Sequence, residues 1–188
     1  MRILPNSFFN RSTVTIAEEL IGCFIVQACG RKIERFMITE TEAYEGFRDK
    51  ASHASRGKTK RNEIMFRSAG HIYIYFTYGM HWMLNIVTGE EGYPAAVLIR
   101  GIKDVEGYNN NANHCGRLDG PARLTKSLGI DGVLNGKKLS RKTGLWIEES
   151  TQKIEPKLIK RTPRIGVDYA GPLWSKKKWR FVLMKSNM

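Results

Sequence analysis

The chain has 188 residues, and 31 Lys and Arg against 18 Asp and Glu give it a formal net charge of +13. A hydrophobic fraction of 41% with four tryptophans excludes a disordered chain, and no apolar run reaches the length of a spanning helix. A single domain of this size buries roughly 70% of the surface its unfolded form exposes, so it needs no staples, and the charge imbalance favours a polyanionic partner, nucleic acid ahead of a membrane surface.

The first residues, MRILPNSFF, lack the apolar core of a secretion signal, and a cytoplasmic protein is expected. Cys23, Cys29 and Cys115 are odd in number and show no C-x-x-C spacing, which argues against a disulfide framework and a zinc site. Cys23 and Cys29 read as reduced core thiols, and His114 beside Cys115 is too close in sequence to chelate well.

In chain order, STVTIAEELIG (12–22) reads as a short helix with Ser12 or Thr13 as its cap and a terminating glycine. CFIVQA (23–28) and ERFMITETEAY (34–44) follow as strands, rich in β-branched and aromatic residues. The pattern lapses between 48 and 63 into a basic loop, RDKASHASRGKTKRNE. Further strands are expected at 70–80, 82–89 and 95–102, then an asparagine-rich surface loop within 103–117 and a helix opened by Pro121. The tail from Thr162 should end in a last strand. The phrase GVLNGKK (132–138) has one spacer too few for a phosphate loop and follows a helix rather than a strand, which excludes that reading.

A side-chain period of two places Ile38, Glu40, Glu42 and Tyr44 on one face of their strand, with Thr39, Thr41 and Ala43 on the other. Two glutamates and a ring on one surface of a basic protein admit two readings. They are an exposed edge paired with lysines, or a working carboxylate pair, since two strand residues separate them by about 7 Å, within the span used by inverting sugar hydrolases. Downstream, Tyr73 and Tyr75 line one face of the strand at 70–80, and Tyr78 beside Gly79 falls at the tip of a hairpin, where it could wedge between base pairs. Asn85 among Leu84, Ile86 and Val87 needs hydrogen-bond partners or reads a ligand. Arg100 closes the apolar run AAVLIR and needs an anion, Glu42 being an obvious one. His53 is either an exposed loop histidine or a flat ring in an aromatic pocket.

Taken together, ETEAYEG, ASHASRGKTKRN, GHIYIYFTYGMHWMLN, PAAVLIR and TPRIGV resemble the alkyladenine (3-methyladenine) DNA glycosylase family, as a bacterial member, over a span from Phe8 to the WRFVL segment near the end. The resemblance implies one α+β domain over 1–188, with a curved, largely antiparallel sheet, flanking helices and a protruding β-hairpin that inserts into double-stranded DNA. It implies hydrolytic excision of alkylated or deaminated purines by base flipping, without cofactor or metal, by a monomer that leaves an abasic site. Glu42 matches the catalytic carboxylate, with Arg100 and the backbone carbonyl of Ile165 holding the water. Tyr44, His53, Tyr75 and Asn85 match base-binding positions, and Tyr78 the intercalating side chain. Glu40 matches no catalytic role. Phosphate contacts are expected from Arg56, Lys58, Lys60, Arg61, Lys176, Lys177, Lys178 and Arg180. A DNA-damage binder without catalysis and a sugar hydrolase using Glu40 and Glu42 are the rival readings.

Overall fold

The computed structural model describes residues 1–105, 118–150 and 154–184, so the expectations for the asparagine-rich loop, His114 and Cys115 lie outside the described residues, as does that for the Cys29 side chain. Two short helices, α1 (Asn6–Phe9) and α2 (Thr13–Glu19), lead into a hairpin of β1 (Phe24–Cys29) and β2 (Lys32–Glu45). The strands β3 (Ile72–Thr77), β4 (His81–Val87) and β5 (Ala95–Asp104) form a meander. Then come α3 (Pro121–Ser127), β6 (Leu145–Glu148), β7 (Ile159–Thr162), α4 (Pro172–Ser175) and β8 (Arg180–Leu183). The strands form one sheet in the order β3-β4-β5-β2-β1-β6, with β8 joined to β2 and β7 to β8. Every strand pair is antiparallel, and the α+β class expected from the sequence is found.

The long β2 strand organises the molecule because its partners change along its length. Its first part pairs with β1 from Lys32 to Met37, and β8 takes over at Glu40, Thr41 and Glu42. On its other edge it pairs with β5, and that register shifts between Ile38 and Thr41. This bulge corrects the simple alternation read from sequence. Ile38 packs in the main core with Ala43, and the Thr41 hydroxyl donates to Ala17 O of α2 at 2.6 Å. Glu40 and Glu42 both meet Arg100, and Tyr44 bonds Glu42, so these three share the opposite face without Ile38. An extra residue in one strand flips the phase of everything beyond it. The strands approach closely at the bulge: a Cβ on Gly101 would lie 3.0 Å from Thr39 Oγ1 and 3.1 Å from Glu40 Cβ.

The main core sits between the sheet and helices α2 and α3. Ile16 and Ala17 of α2 and Leu20 just beyond it are buried in one cluster with Phe36, Ile99, Leu124 and Phe181. Each such aliphatic side chain contributes about 1.5–3 kcal/mol of burial. Ser12 occupies the cap position of α2, yet its side chain makes no cap bond. The Thr13 amide is taken instead by Glu45 Oε1, at 3.2 Å, from the end of β2. Tyr73, Val87 and Ala96 form a second, smaller cluster with Ile64 and Met65. Two core faces thus clamp the meander, and the site opens beside the smaller one.

Candidate active site

A cleft of about 340 Å³ opens between the end of β2, the loop that carries His53, the β3–β4 hairpin and the segment after β7. Tyr44, His53, Tyr75, Tyr78, Asn85, Arg100 and Ile165 all line it, so residues spread over more than half the chain converge. Glu42 is fully buried directly beneath the floor. Its Oε1 accepts the Ile165 N–H at 2.8 Å, and its Oε2 accepts the Tyr44 hydroxyl at 2.8 Å and Arg100 Nη1 at 3.4 Å. Each of these three donors itself lines the cleft. A carboxylate offers about four lone-pair directions, and the three donors leave it able to accept from one more.

Burial pushes the Glu42 carboxyl above the usual carboxylate range, and the Arg100 charge, the Ile165 amide and the Tyr44 phenol only partly offset it. Arg100 is placed by Glu40, whose Oε1 accepts Arg100 Nε at 2.9 Å and Arg180 Nε at 2.6 Å. Arg180 also donates to Thr162 Oγ1 at 3.2 Å. The pairing of β8 with β2 brings the half-buried guanidinium of Arg180, expected as a phosphate contact, to the Glu40 carboxylate. Glu40 likewise bridges two guanidiniums, the geometry of an ion-pair partner rather than of a proton donor.

The ring wall is built from strand and loop together. His53 Nδ1 meets the Tyr73 hydroxyl at 3.1 Å, and its ring stands edge-on to Tyr75 with centroids 4.5 Å apart. Asn62 ties down the loop, donating to His53 O and Gly57 O, both at 2.9 Å. The outer part of His53 is open, but its Nδ1 side is sunk against the tyrosines; burial and the Arg61 charge lower its pKa to about 4. The imidazole is neutral at physiological pH. Burial also pushes Tyr75 up to about 12 and Tyr44 well above its ordinary value, so both rings present neutral phenols. Asn85 pairs across from Tyr73, and its Nδ2 donates to Tyr73 O and Met83 O at 3.2 Å each.

At the hairpin tip Tyr78 is 86% exposed, and it is the one non-glycine at positive φ (51°) among the described residues. Gly79 follows at φ 65°, and Met80 N–H closes the turn on Thr77 O at 3.1 Å. Positive φ at both central positions is the mirror-image turn that suits hairpin twist, and a tyrosine held there is strained. Of the basic residues, Arg56, Lys58, Lys60, Arg61, Lys176 and Lys178 are exposed. Arg61 braces the wall, donating to Phe76 O at 3.1 Å with its guanidinium 5.4 Å from the Tyr75 ring centre. Lys177 Nζ lies 4.2 Å from the ring centres of both Trp174 and Trp179.

A family model described as methylpurine-DNA glycosylase (MPG) matches residues 7–187 of the chain. The chain belongs to this family. Its enzymes hydrolyse N-glycosyl bonds in DNA. Curated relatives agree along the whole length. A protein of Methanocella arvoryzae is 40% identical over 96% of this chain and 92% of its own. One of Myxococcus xanthus is 41% identical over 100% and 93%, and one of Legionella pneumophila (strain Corby) 38% over 97% and 95%. All three are named "Putative 3-methyladenine DNA glycosylase".

In this glycosylase sequence reasoning missed the pair that supports Tyr44 from behind. Arg164 grips Asp49 through Nη1 at 2.5 Å and Nη2 at 2.8 Å and donates to Ala43 O at 2.8 Å. Its guanidinium carbon lies 4.8 Å from the Tyr44 ring centre and 5.1 Å from that of Trp179. The signal available was slight: an arginine inside TPRIGV and an aspartate four residues before His53. Tyr73, the partner of His53, read from sequence as ordinary packing.

Proposed function

We propose that this glycosylase excises alkylated or deaminated purines, among them 3-methyladenine, 7-methylguanine, hypoxanthine and ethenoadenine, by hydrolysis at a flipped nucleotide, and leaves an abasic site. The observation that carries the reading is the placement of Glu42: a buried carboxylate whose every hydrogen-bond donor is a wall of a ring-lined cleft. A base inside a duplex hides its glycosidic bond, and extruding it costs a few kcal/mol, least for damaged or mispaired bases. Tyr78, exposed at the tip, fills the gap left in the helix. Tyr44 takes one face of the extruded base, His53 and Tyr75 the other, and stacking of this kind returns about 1–3 kcal/mol. A purine made cationic by alkylation is drawn further to electron-rich tyrosine faces. Asn85, its Nδ2 bound to backbone, is fixed where it can crowd the exocyclic amino group of normal guanine.

Breaking the bond develops positive charge on the sugar. Glu42 opposes that charge and accepts a proton from the attacking water, which enters beside Arg100, the longest of the three contacts at 3.4 Å. The raised carboxyl pKa suits a base that must take a proton near neutrality. No lysine lines the cleft among the described residues, which favours water over an amine as nucleophile. General-base help is worth about 10²–10⁴-fold.

Glu42→Gln should therefore lose at least about 100-fold in single-turnover excision of hypoxanthine from a labelled duplex while still binding it. Near-normal turnover by this variant would refute the base assignment, and binding by the wild type without alkali-labile breaks would favour a damage binder. Arg56, Lys58, Lys60, Arg61, Lys176, Lys177 and Lys178 supply the phosphate footprint, with Arg180, held by Glu40, at its inner edge. With about six phosphates neutralised, log affinity against log salt should slope near about −5. Affinity that hardly changes with salt would contradict the footprint.

A further inference from the structure

Tyr169 has no place in the sequence-based reading, yet it stands at the mouth of the cleft. After β7 the chain packs Val167 and Ala170 against Ala51, with Tyr44 and Trp174 alongside. A short 3-10 turn, Asp168–Ala170, then lifts Tyr169 outward until it is 71% exposed. An exposed tyrosine ordinarily swings freely. Here the hydroxyl donates to Ala51 O at 3.0 Å, which pins the ring upright on the cleft wall. The protein uses the polar end of the side chain and leaves the ring to whatever enters.

Neighbouring groups show where that ring stands. Ile165, half-exposed, lines the same cleft and extends its apolar lip. Burial raises the Tyr169 pKa, Arg164 opposes this, and Asp49, Glu42 and Tyr78 add to it, and Tyr169 lines the same cleft as the hairpin-tip Tyr78. Tyr169 and Tyr78 thus flank one opening. Among the described residues Tyr78 has no side-chain hydrogen bond and sits at positive φ on the hairpin turn, whereas the Tyr169 hydroxyl is anchored on Ala51.

A base that has passed this mouth lies against Tyr44 and Tyr75, and what remains at the lip is its sugar, whose C–H faces suit an aromatic ring. We propose that Tyr169 is a further substrate-contact residue, packing its ring against the deoxyribose of the extruded nucleotide and so retaining it in the cleft. The inference rests on the base-flipping reading above and adds a contact to it.

The test uses a duplex with one hypoxanthine beside 2-aminopurine, whose fluorescence rises when its neighbour leaves the stack, together with single-turnover excision on the same duplex. Tyr169→Ala should lose about fivefold or more in both flipped fraction and rate, the weak end of ring–nucleotide stacking. Tyr169→Phe keeps the ring and should stay within about twofold of the wild type. Thermal melts check folding; if Tyr169→Ala does not fold, Tyr169→Leu replaces it with the same expected loss. The inference is overturned if Tyr169→Ala matches the wild type, or if Tyr169→Phe is as impaired as Tyr169→Ala, which would assign the effect to the tether on Ala51. A wild type that neither flips nor excises would instead overturn the base-flipping reading itself.

Discussion

Arg164 holds Asp49 with both arms of its fork, at 2.5 and 2.8 Å, and both side chains are sealed from solvent, whereas Arg100 divides itself between Glu40 at 2.9 Å and Glu42 at 3.4 Å and borders the cleft. The sealed pair joins three segments that carry the site: the end of β2 through Ala43, the loop toward His53 through Asp49, and the Ile165 segment through Arg164 itself. The open pair leaves its carboxylate with a raised pKa, charged at some cost. On the proposed mechanism, position and reactivity fall to different ion pairs. A charge fully satisfied by its partners has nothing left to give a substrate, and one left short is where perturbed titration and chemistry coincide.

The largest effect should come from breaking the sealed pair. Asp49→Asn leaves the Arg164 cation buried without its counter-charge, and such a loss typically costs about 3–5 kcal/mol. Urea denaturation would measure it, and adding Arg164→Met should recover part of the loss by removing the orphaned charge. The Nε of Arg164 already lacks a hydrogen-bond partner among the described residues and lies between Tyr44 and Trp179, so packing supports the guanidinium on its faces. A cost below about 1 kcal/mol, the level of a surface pair, would show that the two centres do not differ as described.

The same comparison separates what was legible in sequence from what was not. Strands announced themselves through alternation and glycine turns, and Tyr78–Gly79 marked the hairpin tip, because these depend on neighbours a few residues apart. The functional assignments of Glu42, Tyr44 and Asn85 came from resemblance, since a glutamate on a strand face reads equally as a solvated edge. The bulge near Glu40 was hidden because it is a property of the pairing with β5, a strand far away in sequence. Arg180 read as one more cation of a basic tail, for nothing local says that β8 docks beside Glu40. Asp49 and Arg164 are 115 residues apart, and only the fold pairs them.

A smaller effect, of opposite sign, should come from the open pair. The folded-state pKa of Glu42 is raised above its unfolded value, so the folded protein holds this proton more tightly than the unfolded chain. The stability linked to it is fully present below the unfolded pKa and is lost as pH rises through the folded one. Glu42→Gln removes that loss. At neutral pH the variant should be more stable than the wild type by about 0.5–2 kcal/mol, the usual gain when a functional site is relieved, and the difference should shrink on acidification. Melting curves of both proteins from pH 4 to 8 would measure it. A gap that widens toward low pH would mean that Arg100, Tyr44 and the Ile165 amide outweigh burial.

The smallest stability effect belongs to the hairpin tip, where the two kinds of design meet in one residue. Tyr78 holds φ at 51°, which costs a non-glycine residue about 1–2 kcal/mol, and its side chain is too exposed to gain that back from packing. Tyr78→Gly relieves the strain but gives the unfolded chain more freedom, worth about 0.5–1 kcal/mol against folding. The net change should be less than about 1 kcal/mol in either direction. If Tyr78 is the proposed wedge, lesion capture should fall nonetheless, since the glycine cannot fill the space left by a flipped nucleotide. If the variant instead unfolds markedly more easily and keeps its affinity for lesion DNA, the tip is a folding element and the strain has no functional counterpart.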